Sequence, residues 1–274
     1  GAGTIDLTVT NGSATAWNVN AGVLAVSNSA GAAPLGTNST TTLNGGTIRI
    51  TNAGAADYAT GNTGTLNING GGVIALNNTT AFSTQFTFGN IQRTGQGTMV
   101  IVPTASLGGT TGSRARLIAT TQLLGAAVAS SNFAGIVSPV IVRLADAAPN
   151  QDANFVTYNA TNGFVTGTPT TSVASLTGSQ PGSVGAIVTA QSLSGVNSIY
   201  AFKTTANVGG GTLQVVANNT NTQLGGILIN GAGVAAPVIS SNLFFGLVNN
   251  NVSQLNGVSF GEGVVYASTG FTGG

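Results

Sequence analysis

A short unit recurs along the first 102 residues: a small residue, a glycine, then a strand alternating aliphatic with polar or small side chains. It reads Ala2-Gly3-Thr4-Ile5-Asp6-Leu7-Thr8-Val9, then Ala21-Gly22-Val23-Leu24-Ala25-Val26, then Gly45-Gly46-Thr47-Ile48-Arg49-Ile50. It continues as Gly71-Gly72-Val73-Ile74-Ala75-Leu76 and Gln96-Gly97-Thr98-Met99-Val100-Ile101. The glycines directly preceding the strands, at 3, 22, 46, 72 and 97, are separated by 19, 24, 26 and 25 residues. A step of roughly 20–25 residues is one turn of a solenoid with several short strands per turn. Ile48 and Ile50 share one face while Arg49 takes the other, and Leu24/Val26 and Ile74/Leu76 repeat the pattern. That is strand period, not helix period.

Secondary strands lie between the marked ones, at Thr41-Thr42-Leu43-Asn44 and Thr65-Leu66-Asn67-Ile68-Asn69. Asn11-Gly12, Asn44-Gly45-Gly46 and Asn69-Gly70-Gly71 read as corners, because glycine supplies positive φ and asparagine tolerates it. The unit returns at Gly210-Gly211-Thr212-Leu213-Gln214-Val215, at Gly225-Gly226-Ile227-Leu228-Ile229 and, more weakly, at Glu262-Gly263-Val264-Val265-Tyr266. The interval between holds Pro103, Pro139, Pro149, Pro169 and Pro181 and six of the eleven charged residues. It still contains strand-like runs at Pro139–Leu144 and Asn154–Tyr158. The expected organisation is regular solenoid repeats over 1–102, irregular coils and loops over 103–206, and solenoid-type repeats again over 207–274. The fold class is all-β, a parallel β-solenoid with irregular central coils. The alternative is a solenoid with a β-sandwich inserted in the middle. Only Arg114 to Ala129 has helical character, enough for one short helix or helical turn.

Composition narrows the functions available. Asp, Glu, Lys and Arg make up 4% of the chain, against about 25% in a typical globular domain. The acids are Asp6, Asp57, Asp146, Asp152 and Glu262; the bases are Arg49, Arg93, Arg114, Arg116, Arg143 and Lys203. A net charge of +1 offers no field to attract nucleic acid or an anionic membrane. It also leaves little self-repulsion to keep copies apart. An assembled or surface-tethered protein tolerates that better than a cytosolic one. Cysteine and histidine are both absent, which removes disulfides, thiolate metal sites and the commonest general base. The opening Gly1-Ala2-Gly3-Thr4-Ile5 lacks the basic and apolar regions of a secretory signal. The apolar stretches Ile136–Leu144 and Leu243–Val248 are too short to cross a bilayer as helices.

Val19-Asn20-Ala21-Gly22-Val23-Leu24-Ala25-Val26, then Pro34-Leu35-Gly36, then Thr42-Leu43-Asn44-Gly45-Gly46-Thr47-Ile48 resembles the autotransporter-associated β-strand repeat of bacterial surface proteins. Arg114–Thr120, Gly135–Pro139 and Asn154–Val165 resemble the non-repeat stretch of very long repeat proteins of Planctomycetes-like and Verrucomicrobia-like bacteria. The resemblance implies a right-handed parallel β-helix displayed outside the cell. It carries over no catalytic residue, because the family unit has none. The family's C-terminal β-barrel translocator has no counterpart in these residues.

Candidate chemistry is sparse. Asp146 and Asp152 are the two acids closest in sequence, and a carboxylate pair or calcium loop needs at least that; solvated loop acids are the simpler account. Arg114 and Arg116 share a face if extended and suit a sugar carboxylate, but no base residue stands beside them. Gly209-Gly210-Gly211 is followed by no Gly-Lys-Ser/Thr, so it reads as a corner and not a phosphate cradle. The serines lack a histidine to activate them. Trp17 and Tyr58 are of a kind that stacks on sugars or packs a solenoid, and Phe82, Phe86, Phe88 and Phe244-Phe245 read as core ladders. Thr40-Thr41-Thr42 resembles ice-binding solenoids but is not repeated coil on coil. Asn11, Asn38, Asn78, Asn218 and Asn251 begin Asn-x-Ser/Thr triplets, which arise by chance in a chain this rich in those residues. No catalytic, cofactor-binding or metal residue is expected.

Three functions follow in order of preference. The first is a non-catalytic extracellular structural protein at the cell surface, self-associating through solenoid ends into a homo-oligomer, fibre or sheath. The second is an adhesin whose site, in the 103–206 region, contacts carbohydrate or another cell. The third is a polysaccharide-cleaving enzyme on the same fold. Nucleic-acid binding and membrane insertion are not expected.

Overall fold

The structure, a computed structural model, describes residues 3–8, 16–27, 33–61, 63–78, 81–109, 113–130, 132, 134–144, 153–167, 172–217, 225–230, 237–248, 258–260 and 263–267. The described residues are strands and turns, with helical backbone confined to a 3₁₀ turn at Val128–Ser130. The chain divides into two compact units. The first comprises Gly1–Ser131, Ile141–Ala147 and Val156–Thr166; the second comprises Asn132–Val140, Ala148–Phe155 and Gly167–Gly274.

The first unit opens with β1 (Thr4–Leu7), β2 (Trp17–Val19), β3 (Val23–Ser27), β4 (Thr41–Thr51), β5 (Tyr58–Gly61) and β6 (Thr65–Asn77). It continues with β7 (Thr84–Arg93), β8 (Met99–Pro103), β9 (Ser106–Leu107), β10 (Arg114–Leu123), β11 (Ala126–Ala127) and β12 (Ile141–Arg143). Three parallel ladders run through it. β1, β3, the end of β4, the end of β6, β8 and β12 make the first. β2, the start of β4, the start of β6, the end of β7 and the end of β10 make the second. β5, the start of β7 and the start of β10 make the third, with β9 also beside β10.

Side-chain alternation decides what is buried. Leu24, Ile48, Ile74 and Ile101 occupy successive register positions in the first ladder, and Val26, Ile50 and Leu76 form a second column beside them. All seven are buried. Val19–Leu43–Ile68 and Leu66–Ile91–Leu123 line the second ladder, and Thr60–Phe86–Leu117 the third. Burying each aliphatic side chain contributes ~1.5–3 kcal/mol, and like types in register let successive passes of the chain pack closely. Phe86 and Phe88, both buried, meet edge to face with centroids 4.6 Å apart.

Two sequence expectations need adjustment. The repeat sets Gly97 opposite Gly72, but Gly72 pairs with Met99, two residues further on. Residues before Met99 form the corner instead: the Gly97 amide donates to the Asn69 carbonyl at 2.8 Å and the Gly72 amide to the Thr98 carbonyl at 3.0 Å. A Cβ on Gly97 would overlap the Gly71 nitrogen. Between Arg114 and Ala129 the expected helical turn is the 3₁₀ turn that begins at Val128, while most of the stretch forms β10 and β11, which pair antiparallel. Ala115, Leu117 and Ala119 are buried at period two, so strand pairing on Phe86 and Phe88 overrides the weak helical pattern.

β13 (Asn154–Asn159) and β14 (Gly163–Thr166) pair antiparallel from Val156↔Thr166 to Asn159↔Gly163. The Asn159 side-chain carbonyl closes their turn by accepting from the amides of Thr161 and Asn162 at 2.8 and 3.2 Å. The ladder between β10 and β7 shifts register between Ala119 and Gln122, an irregularity that leaves ladder groups without a strand partner. Both backbone groups of Ala119 bond to Tyr158, whose hydroxyl accepts from the Ala119 amide at 2.9 Å and donates to the Ala119 carbonyl at 2.5 Å.

The second unit contains β15 (Ser172–Val173), β16 (Val184–Ile187), β17 (Gln191–Ser192), β18 (Val196–Ile199), β19 (Ala201–Thr204) and β20 (Val208–Gly209). β21 (Thr212–Ala217), β22 (Gly225–Ile229), β23 (Asn242–Val248), β24 (Val258–Phe260) and β25 (Gly263–Ala267) follow. β15, β16, β19, β22 and β25 form one parallel sheet; β18, β21 and β23 form another, with β24 antiparallel on β23. β17 and β20 form a third parallel pair, extended by a bridge from Val208 to Ile239. Leu176, Ile187, Leu193, Ile199, Phe202, Val208, Leu213, Val215 and Ile227 pack as one core.

Here the step between partners varies: Val184 pairs with Ala201 and Gln191 with Val208, 17 residues apart, but Ala201 with Gly226, 25 apart, and Gly225 with Gly263, 38 apart. The glycine mark does not reveal the 17-residue step. Of the late copies of the unit, Gly225–Ile229 stacks in parallel register on Gly263–Tyr266, while Thr212–Val215 lies in another sheet. A β-sandwich inserted between 103 and 206 would pair antiparallel, whereas β15 to β20 pair in parallel. The protein is all-β with mostly parallel sheets, an arrangement compatible with a β-solenoid.

Candidate functional site

The residues picked for chemistry are dispersed. Asp146, Asp152 and Glu262 lie outside the described residues, as do Asn11, Asn218 and Asn251. Among the described residues no three His, Cys, Asp or Glu side chains gather as metal ligands. Gly210 and Gly211, with φ of 72° and 48°, turn against the backbone of Leu193 and Gly195, a corner as expected. Trp17 is half-buried and its indole Nε1 donates to the Leu35 carbonyl at 2.8 Å. Tyr58 is buried, which pushes its hydroxyl pKa up against the lowering effect of a Thr60 hydrogen bond. Phe82 is half-buried, and Phe245 packs against the second unit's core. Thr41 is buried between exposed Thr40 and half-buried Thr42, so those three hydroxyls present no common surface.

Side-chain amides knit the first unit. Asn44 Nδ2 donates to Asn20 Oδ1 at 3.1 Å, and Asn69 Nδ2 donates to Asn44 Oδ1 at 3.2 Å. This three-rung ladder follows the same 24–25-residue step as the backbone. A second set sits inside the corners. Asn52 Nδ2 donates to the carbonyls of Ala56 and Ser83, each at 2.9 Å, and Asn78 Nδ2 to those of Phe82 and Arg114 at 3.0 and 2.6 Å. Asn78 thus spends its amide on structure in spite of its Asn-x-Thr context. Sequence reasoning missed this role; the clue was the 26-residue interval between Asn52 and Asn78, equal to one repeat.

Two surface features remain. The first is the β1 end of the first ladder. Among the described residues β1 pairs with β3 alone. Ile5 heads the column that continues through Leu24, Ile48, Ile74 and Ile101, yet it is 61% exposed. A cavity of about 290 Å³ opens beside it, lined by Gly3, Ile5, Trp17, Val19, Val23 and Leu24 among others.

The second feature is on the outer wall of the third ladder. Tyr58, Thr60, Phe86, Ala115 and Leu117 point inward, so Ala59, Gln85 and Arg116 form one outer row and Gly61, Thr87 and Ile118 the next. A groove of about 300 Å³ lies there, lined by Ala59, Gly61, Thr37, Thr63, Gln85 and Thr87 among others. Arg114 and Arg116 do share this face, as expected from the sequence. Gln85 Nε2 donates to Thr87 Oγ1 at 3.1 Å, while Nε of Arg116 is buried without a hydrogen-bond partner.

No protein-family model, curated protein or solved structure matches this chain. No helix among the described residues is long and apolar enough to cross a membrane.

Proposed function

We propose that this chain is a non-catalytic extracellular structural protein, a right-handed parallel β-helix whose copies join end to end into a cell-surface fibre or sheath. The observation carrying the reading is the pair of aliphatic columns stacked pass on pass in parallel register, Leu24–Ile48–Ile74–Ile101 and Val26–Ile50–Leu76, all buried. An uncovered strand edge with an apolar row beside it is a template for another strand. Handedness follows from the general rule that parallel crossover connections are right-handed in ~98% of cases. The near absence of charge supports association, since nothing repels an approaching copy. The resemblance of Val19–Val26 and Thr42–Ile48 to the autotransporter-associated repeat supports the extracellular surface as its place.

The test is sedimentation and electron microscopy of the 274-residue chain over a range of concentrations. Concentration-dependent oligomers or filaments are expected. Ile5→Asp, which charges the open edge and lies outside the later passes, should abolish them without changing the circular dichroism spectrum. Dispersed monomers at every concentration would overturn the proposal.

A further inference from the structure

We infer that Lys203 and Asn154 join as an intramolecular isopeptide bond, a covalent tie that the chain forms by itself within the second unit. The modification is independent of end-to-end assembly and needs no cysteine, of which the chain has none.

Lys203 is the chain's one lysine, and its place is unusual for that residue. Lysine ordinarily stands at the surface with its amine in water. Here it lies in β19, where Ala201, Phe202 and Thr204 are all buried. Phe202 and its register partner Ile227 face the core of the unit. Alternation therefore turns Ala201 and Lys203 to the opposite face of the sheet. That face is covered as well. Leu228, the register partner of Lys203, is buried, and so is Ala201. A Cβ on Gly226, the partner of Ala201, would come within 2.1 Å of Pro139 Cβ. On this covered face Lys203 is half-buried, and its Nζ donates to Asn154 Oδ1 at 3.0 Å across 49 residues of sequence. Pro139, Asn154 and Lys203 all belong to the second unit.

The contact sets a nucleophile against an electrophile. The side-chain carbonyl carbon of Asn154 is one bond beyond the contacted oxygen, so it lies within about 4.2 Å of Nζ. A small side-chain rotation closes that to the ~3–3.5 Å of a reactive pair. The lysine ammonium first gives up a proton, and the free amine is the nucleophile. Its lone pair forms the Nζ–Cγ bond, the Cγ–Nδ2 bond breaks, and Nδ2 takes a proton from Nζ and departs as ammonia. With the proton first released, the ammonia ends as an ammonium ion. Nothing is oxidised or reduced, and no co-reactant enters. Proton traffic of this kind suits a carboxyl group, and Asp152 precedes Asn154 by two residues in the sequence. The product replaces a hydrogen bond by a covalent link spanning 49 residues, which restricts the unfolded chain as a disulfide does.

Mass spectrometry of the purified, intact chain tests this. The parent should weigh one ammonia less than its sequence requires, and a tryptic digest should contain one branched peptide carrying both residues. A lysine-specific protease has Lys203 as its one site. It should leave the denatured parent uncut, because an acylated Nζ is no longer its substrate. Lys203→Arg and Asn154→Ala should each show the full mass of their sequences, and the protease should cut the Asn154→Ala chain in two. A parent of full mass, cleavage of the parent at Lys203, or an ammonia loss that persists in Lys203→Arg would each overturn the proposal. The last result would instead mark succinimide formation at an Asn-Gly step. The readings on the parent decide the matter even where a variant fails to fold.

Discussion

Asn52 shows how much one side chain does in a chain that has no cysteine to staple it. It is fully buried, donates twice through its amide to the carbonyls of Ala56 and Ser83, and accepts from the Gly54 amide at 3.0 Å. A corner leaves backbone carbonyls pointing away from any ladder, and a buried carbonyl without a donor costs about 1–3 kcal/mol. Asn52→Ala should therefore lower unfolding free energy by about 1–3 kcal/mol in a denaturant titration. Asn20→Ala, at the exposed outer rung of the amide ladder, should cost under about 1 kcal/mol. In the sequence only the 26-residue interval to Asn78 sets Asn52 apart from the many asparagines at turns and on the surface. Alternation reveals which face a residue takes within a strand, but a corner has no alternation. Tyr158 is hidden for a related reason: the strand residue it bonds, Ala119, is 39 residues away.

The strands of the first ladder are legible because their signal is local. Ile48, Arg49 and Ile50 declare inside, outside, inside within three residues, and burial follows. The third ladder is legible only in β7, where Phe86 and Phe88 read as core and are buried; β5 is Tyr-Ala-Thr-Gly, with no aliphatic alternation and no glycine mark ahead of it. Register is only partly legible. Thr4↔Val23, Val23↔Thr47 and Thr47↔Val73 follow the glycine steps, but Met99 takes the place expected for Gly97. Close backbone approach at the corner accompanies this pairing. Gly97→Ala, whose Cβ would overlap the Gly71 nitrogen, should destabilise by about 1–3 kcal/mol, read as a lower urea midpoint than that of the parent chain. The candidate wall at Arg116 is half legible: the sequence puts Arg114 and Arg116 on one face, but the groove draws its lining from stretches around residues 33–37, 59–63 and 85–87.

At the scale of the molecule, alkali is the condition to which the fold should be most sensitive. Burial raises the pKa of all four tyrosines, Tyr58, Tyr158, Tyr200 and Tyr266, above the ordinary value of 10.0, Tyr200 most strongly. The unfolded chain therefore releases these protons first. Their contribution is complete below pH 10.0 and is lost as pH rises through the folded-state values. Melting temperature should fall between about pH 10 and pH 12. Tyr200→Phe, which keeps the ring and removes the ionising group, should shrink that fall; an identical alkaline profile would refute it. The two-residue displacement at Met99 carries a last consequence. Since side chains alternate with period two, the pairing expected from the glycine steps would also keep Ile101 indoors, so burial alone does not distinguish right from wrong alignment there. Each arriving pass must be proofread by the bend that precedes it, and a mutation at such a bend would trap misaligned chains even where the finished fold tolerates it.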